Sequence, residues 1–205
     1  MSAIHLEFLV EEPSMEAFLR CLLPRLLPAE RTFEIHPFQG KSDLLGKLQA
    51  RLRGYAQWIP EDWRVVVVVD RDDDDCSVLK QRLEAMATTA GLSTRSTAGN
   101  SKWQVVNRIA IEELEAWYFG AWQAVCDAYP RVSATIPQKA NYRDPDAIKG
   151  GTWEAFERIL QRHGYFKGGL RKVEVAREIG SRLIPATSCS QSFMRFHEVI
   201  SEAIA

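Results

Sequence analysis

Five consecutive valines, Val65 to Val69, run straight into Asp70-Arg71-Asp72-Asp73-Asp74-Asp75. An unbroken β-branched run predicts a strand covered on both faces, as parallel strands in α/β proteins are. Such a strand needs helices above and below it, and crossover connections rather than hairpins on either side. The switch from valines to acids marks its carboxyl end, where sites form in sheets of this class.

The flanking sequence supplies those partners. Ile4 to Val10 reads as a first buried strand ending at Glu11-Glu12, followed by an apolar helical pattern with Ser14 as N-cap and Pro24 as a kink or stop. TFEIHPFQG reads as a second strand and Lys41 to Tyr55 as an amphipathic helix. After the valine strand and its acidic loop comes another helix closed by Gly91, and Leu92 to Thr97 is a candidate short strand. Gln104 to Ile111 is strand-like, and Glu112 to Tyr129 is predicted as one aromatic helix. Beyond Pro130 the pattern breaks up until helices around Thr152 to His163, Lys172 to Leu183 and Phe193 to Ile204. The expected fold is α/β, a mostly parallel sheet flanked by helices, with residues 1–129 forming the sheet domain and 130–205 a helical C-terminal extension packed on it.

Composition narrows the partners. The 205 residues carry 26 Lys and Arg against 27 Asp and Glu, a formal charge of −1, so a polyanion must meet a local basic patch rather than a global field. Arg143, Lys149, Lys167, Arg171 and Lys172 are the candidates for that patch. Cys21, Cys76, Cys126 and Cys189 lack zinc spacing and disulfide density, and read as reduced, mostly buried thiols of a cytoplasmic protein. No leader and no membrane span is expected from the sequence. The tryptophans, among them Trp103, Trp117 and Trp153, are expected in the core. His5, His36, His163 and His197 show neither metal nor triad spacing, so a nucleophilic side chain is not expected to carry the chemistry.

Acids are the feature left to interpret. Glu11 ends the first strand, Asp70 and Asp72 the valine strand, and Glu112, Glu113 and Glu115 follow the last, so the topology can gather carboxylates that are distant in sequence. Gathered carboxylates suit Mg²⁺ or Mn²⁺, which prefer oxygen ligands and relieve their mutual repulsion. The same residues also suit a solvated turn and a helix start, where acids face the positive dipole end, and spacing alone leaves both readings standing.

The pair LVEEPSMEAFL and VVVVVDRDDDD resembles the TOPRIM pattern: a strand-end Glu opening a helix, then a hydrophobic strand ending in Asp-x-Asp. Glu12 departs from the Gly that commonly follows the Glu, which leaves Glu11 and Glu12 both in play. With IAIEELEAWYFG, GTWEAFERIL, GYFKGGLRK and SFMRF, nearly the whole chain is similar to an uncharacterised TOPRIM-like bacterial family related to the RloB and OLD nucleases. The resemblance implies phosphodiester hydrolysis of DNA or RNA. Asp70, Asp72 and Glu115 would hold one or two Mg²⁺ (or Mn²⁺), with Glu112 as the other candidate ligand and Glu11 as ligand or base. Lys167, flanked by glycines, resembles a lysine placed beside the acids in such relatives, while Lys41 reads as an exposed helix-start lysine. The implied role is the nuclease half of an anti-phage or toxin-like system whose ATPase is a separate chain, since no GxxxxGK[ST] motif is present here. The alternative is a non-catalytic subunit that keeps the scaffold to dock a partner.

Overall fold

The structure, a computed structural model, describes residues 2–99 and 102–205. Four strands form one sheet: β1 (His5–Val10), β2 (Thr32–Pro37), β3 (Trp63–Asp70) and β4 (Val105–Ala110). They pair in the order β2-β1-β3-β4, and every pairing is parallel. Among the described residues eight α-helices flank the sheet: α1 (Pro13–Leu26), α2 (Lys41–Trp58), α3 (Cys76–Thr89), α4 (Leu114–Gly120), α5 (Trp122–Ala128), α6 (Thr152–Arg162), α7 (Lys172–Gly180) and α8 (Gln191–Ile204). None of them is long and apolar enough to cross a membrane.

The valine run behaves as its composition dictates. Val65 to Val69 are fully buried, and because strand side chains alternate, they divide between two cores. Val66 and Val68 join Leu6, Phe8, Val10 and Val106 on one face, against α1, α4 and α6–α8. Val65, Val67 and Val69 join Leu9 and Val105 on the other, against α2 and α3. The C-terminal helices thus share one continuous apolar cluster with the sheet.

The chain leaves β1 for β2 on one side and returns to β3 on the other, so the strand order reverses between β1 and β3. A crevice opens beyond the carboxyl ends of strands at such a reversal. Glu11 directly follows β1 and Asp70 is the last residue of β3, which puts both at this point.

Several local expectations are corrected. Glu12, with extended backbone, is the N-cap of α1 and Pro13 opens it, a position where the missing N–H costs nothing; Ser14 is buried one residue further on, and its hydroxyl donates to the Glu12 carboxylate. Of the two readings of Pro24, the stop is the one corrected: the residue lies inside α1, which runs on to Leu26. Leu92 to Thr97 forms no strand: only Thr94 bridges to Val105, at the beginning of β4. The helix expected over Glu112 to Tyr129 is two, because Ala121 leaves helical geometry (φ −117°, ψ 49°) and the Gly120 carbonyl accepts the Cys189 N–H at 2.9 Å instead of continuing the helical ladder. The four cysteines are free, but none is fully buried and Cys189 is exposed.

α1 and α7 pack closely through a glycine. A Cβ on Gly180 would lie 2.6 Å from the Phe18 carbonyl oxygen and 3.3 Å from the Cys21 Cβ. Gly180→Ala is therefore expected to push the two helices apart and cost about 1–3 kcal/mol, as overpacking does. A chemical denaturation curve would show the loss, and an unchanged midpoint would mean that the helices separate freely.

Candidate functional site

Glu11 and Asp70 meet across the switch point, where the Asp70 backbone N–H donates to the Glu11 carboxylate at 3.1 Å. Asp70 is 6% exposed, and Glu115, in the first turn of α4, is 2% exposed. One carboxylate oxygen on each, Asp70 Oδ1 and Glu115 Oε2, is buried without a hydrogen-bond partner, and so is the hydroxyl of Tyr118. Buried polar atoms are normally paired, so orphaned oxygens on two neighbouring acids require an explanation.

Their charges respond to one another. Burial pushes Glu11 up to about 7, against the help of the Asp70 N–H, and Asp72 and Glu12 push the same way while Lys41 opposes. Asp70 lies well above the carboxylate range, first through burial, then through Glu11, Glu115, Glu12 and Asp72. Burial also lifts Glu115 to about 7, with Lys172 working against it and Glu113 with it. The Tyr118 hydroxyl is raised by burial and by the same acids, Glu115, Glu12 and Asp70.

Two lysines close the rim. Lys172, at the start of α7, lies 3.8 Å from Glu12 and 5.3 Å over the ring of Trp153. Burial lowers its pKa, but Glu115, Glu12, Glu113 and Asp70 outweigh this and raise it. Lys41, at the start of α2, reaches Asp72 at 2.8 Å, Asp74 at 2.9 Å and the Arg71 carbonyl at 2.8 Å. It braces the acidic loop rather than standing free, with 16% of its side chain exposed.

The expected site residues thus fall into three groups. Glu11, Asp70 and Glu115 form the buried centre, with Glu12 at its edge. Asp72 and Glu112 lie on the rim: the half-exposed Asp72 carboxylate is paired with Lys41, and Glu112 is paired with Arg71. Both rim residues have left-handed backbone, φ 48° and 60°, and the Asp72 N–H donates to the Glu112 carbonyl at 2.8 Å. Such conformations cost about 1–3 kcal/mol each in non-glycine residues and cluster where loops are held for function. Glu113 accepts from Thr152 Oγ1 at 2.9 Å and the Trp153 N–H at 2.7 Å, tying the β4 end to the start of α6. Lys167 stands exposed in the turn between α6 and α7, with no ion pair to these acids among the described residues. The cation beside the buried acids is Lys172, which the sequence offered only as part of a basic patch; the KVEV opening of α7 gave no hint of its place beside them.

Carboxylate oxygens are the donor chemistry that a hard divalent cation takes. Asp70 and Glu115 present bare buried oxygens, and a hard cation supplies the compensation that no protein donor does. Among the described residues no group of three or more His, Cys, Asp and Glu side chains is drawn into a ready ligand cage. The acids therefore do not converge on one point.

A family model described as a domain of unknown function (DUF4276) matches residues 10–201, a span that includes every residue of this site. No curated protein and no solved structure matches the chain.

Proposed function

The chain belongs to the DUF4276 family, and we propose that this member is a divalent-metal-dependent phosphodiesterase of TOPRIM-like type that cuts DNA or RNA. The observation that carries the reading is the pair of buried, unpartnered oxygens on Asp70 and Glu115, beside Glu11 at the β1–β3 switch point. Asp70 and Glu115 would hold Mg²⁺ or Mn²⁺, which when bound lowers the pKa of water and neutralises charge developing on a phosphate. Glu11, raised to about 7 in the metal-free protein and held against the Asp70 N–H, is the carboxylate placed to accept a proton from the attacking water. Lys172 keeps the acidic centre from excess negative charge and offers a cation to an incoming phosphate. Asp72 and Glu112, fixed by Lys41 and Arg71, shape the entrance. In the wider reading the protein is the cutting half of a cytoplasmic anti-phage or toxin-like system, with a separate ATPase.

A second reading is favoured by the lysines. Lys41 on Asp72 and Lys172 near Glu12 are how a non-catalytic scaffold would manage acidic charge without an ion. Incubating the purified protein with plasmid, single-stranded DNA and tRNA in Mg²⁺ or Mn²⁺, with and without a co-encoded ATPase, separates the two. The enzyme reading expects cleavage that EDTA abolishes. Intact substrates in every arm would leave the scaffold reading standing.

A further inference from the structure

A concavity with uncompensated charge lies away from the acids. Between α6 and the short 3₁₀ turns at residues 136–147 runs a groove of about 710 Å³, lined by Tyr142, Asp144, Lys149, Arg158 and Arg162 among others. Its lining holds three cations and one carboxylate, that of Asp144, which is engaged by the Asp146 N–H at 3.1 Å. Lys149, Arg158 and Arg162 are exposed, and among the described residues none of them makes an ion pair.

Local acids are present but turned elsewhere. Glu154, one helical turn before Arg158, has its carboxylate against Gly151 at the helix start, and Glu157 accepts the Leu170 N–H at 2.8 Å. Arg158 and Arg162 therefore face each other at i,i+4 as like charges, an arrangement that destabilises a helix by a few tenths of a kcal/mol. Attraction to a bound polyanion would outweigh that repulsion. A solvated surface face would more ordinarily alternate its charges, as the i,i+4 pairs Glu16–Arg20 and Glu178–Arg182 do elsewhere in this chain.

α6 also joins this groove to the acidic centre. Its first turn is held by Glu113, Trp153 carries Lys172, and Lys149 precedes it by three residues. From there Arg158 and Arg162 follow along the helix, separated by a rise of about 6 Å. That is close to two charge intervals along one strand of a duplex, about 3.4 Å each.

We propose that the groove lined by Lys149, Arg158 and Arg162 is a docking track for the phosphate backbone of a nucleic-acid strand whose next segment reaches the acidic centre. This deepens the phosphodiesterase reading and rests on it for the identity of the polyanion. Backbone contacts of this kind position a strand without reading its sequence.

The test is binding, in EDTA, so that no metal-dependent cleavage runs. Fluorescence anisotropy would follow labelled single-stranded DNA and RNA oligonucleotides on the full chain and on Arg158→Ala/Arg162→Ala, across a series of salt concentrations. Arg195→Ala, which removes an exposed arginine already paired with Glu198, is the control. The double variant is expected to bind at least tenfold more weakly at low salt, with the slope of log K against log salt smaller in magnitude by about 1.4, two phosphate contacts at about 0.7 each. Equal affinity and slope for parent and double variant would overturn the proposal, as would absence of binding by the parent or an equal loss in the control. Circular dichroism of the variants, whose changed residues are all exposed, checks that they remain folded. Binding by the groove without any cleavage in Mg²⁺ would uphold the track and sink the enzyme; cleavage with unaltered binding would do the reverse.

Discussion

Asp70→Asn is expected to abolish metal-dependent cleavage, by at least about a hundredfold or roughly 2.7 kcal/mol of transition-state stabilisation, while leaving the metal-free protein as stable at pH 8 or more so. The substitution keeps the shape of the side chain and removes the charge that burial and four neighbouring carboxylates make costly. Loss of activity with a gain in stability is what distinguishes a charge kept for function from one kept for folding. A structural Asp, by contrast, would lose both together. Initial rates at saturating Mg²⁺ and melting curves in EDTA, on the same preparations, give the two numbers. Unchanged cleavage would remove Asp70 from the chemistry.

The metal-free protein is expected to lose stability as pH rises from 5 to 8, and Mg²⁺ to restore it at pH 8 only. Glu11 and Glu115 titrate near 7 in the folded protein against 4.5 for the free side chain, so between those values the folded state holds more protons than the unfolded one. Stability therefore falls through this window, with the full loss reached above about pH 7. For Glu115, 2% exposed, the shift corresponds to about 3 kcal/mol at 1.36 kcal/mol per pKa unit. Spread over a chain of this size, that is a fall in melting temperature of about 6–12 °C. Glu11 is more accessible and electrostatically linked to Asp70, so its share is smaller and not additive. Differential scanning calorimetry at the two pH values, with EDTA or Mg²⁺, reads the effect. A melting temperature that is flat with pH, or that Mg²⁺ raises equally at pH 5, would contradict the crowding of ionised acids at this site.

The sheet was legible because its signal is local. Val65 to Val69 cannot be satisfied by one buried face, and the ends of β1, β3 and β4 were marked by a change from apolar residues to acids. Glu11 and Asp70 followed directly, since parallel strands bring their carboxyl ends to one edge. What sequence did not show depends on contacts from distant parts of the chain. The pairing of Asp72 is set by Lys41 at the start of α2, and that of Glu112 by Arg71 beyond the neighbouring strand. The position of Lys172 at the rim beside the acids depends on how α7 packs against α1, through Gly180. The break at Ala121 depends on Cys189 arriving at the Gly120 carbonyl from 69 positions away in the chain (189 − 120). Lys167 attracted attention through its glycines, but glycine marks where a backbone can turn, not where a side chain points.

The most direct test is titration of Mn²⁺ into the metal-free protein at pH 7.5, followed by electron paramagnetic resonance and by calorimetry in two buffers of different ionisation enthalpy. The parent is expected to bind Mn²⁺ with release of protons, because Glu11 and Glu115 are partly protonated near neutrality before the ion enters. Asp70→Asn and Glu115→Gln should each lose that binding while remaining folded. Absence of binding by the parent at millimolar Mn²⁺, or equal binding by both variants, would contradict a divalent cation held by these two acids.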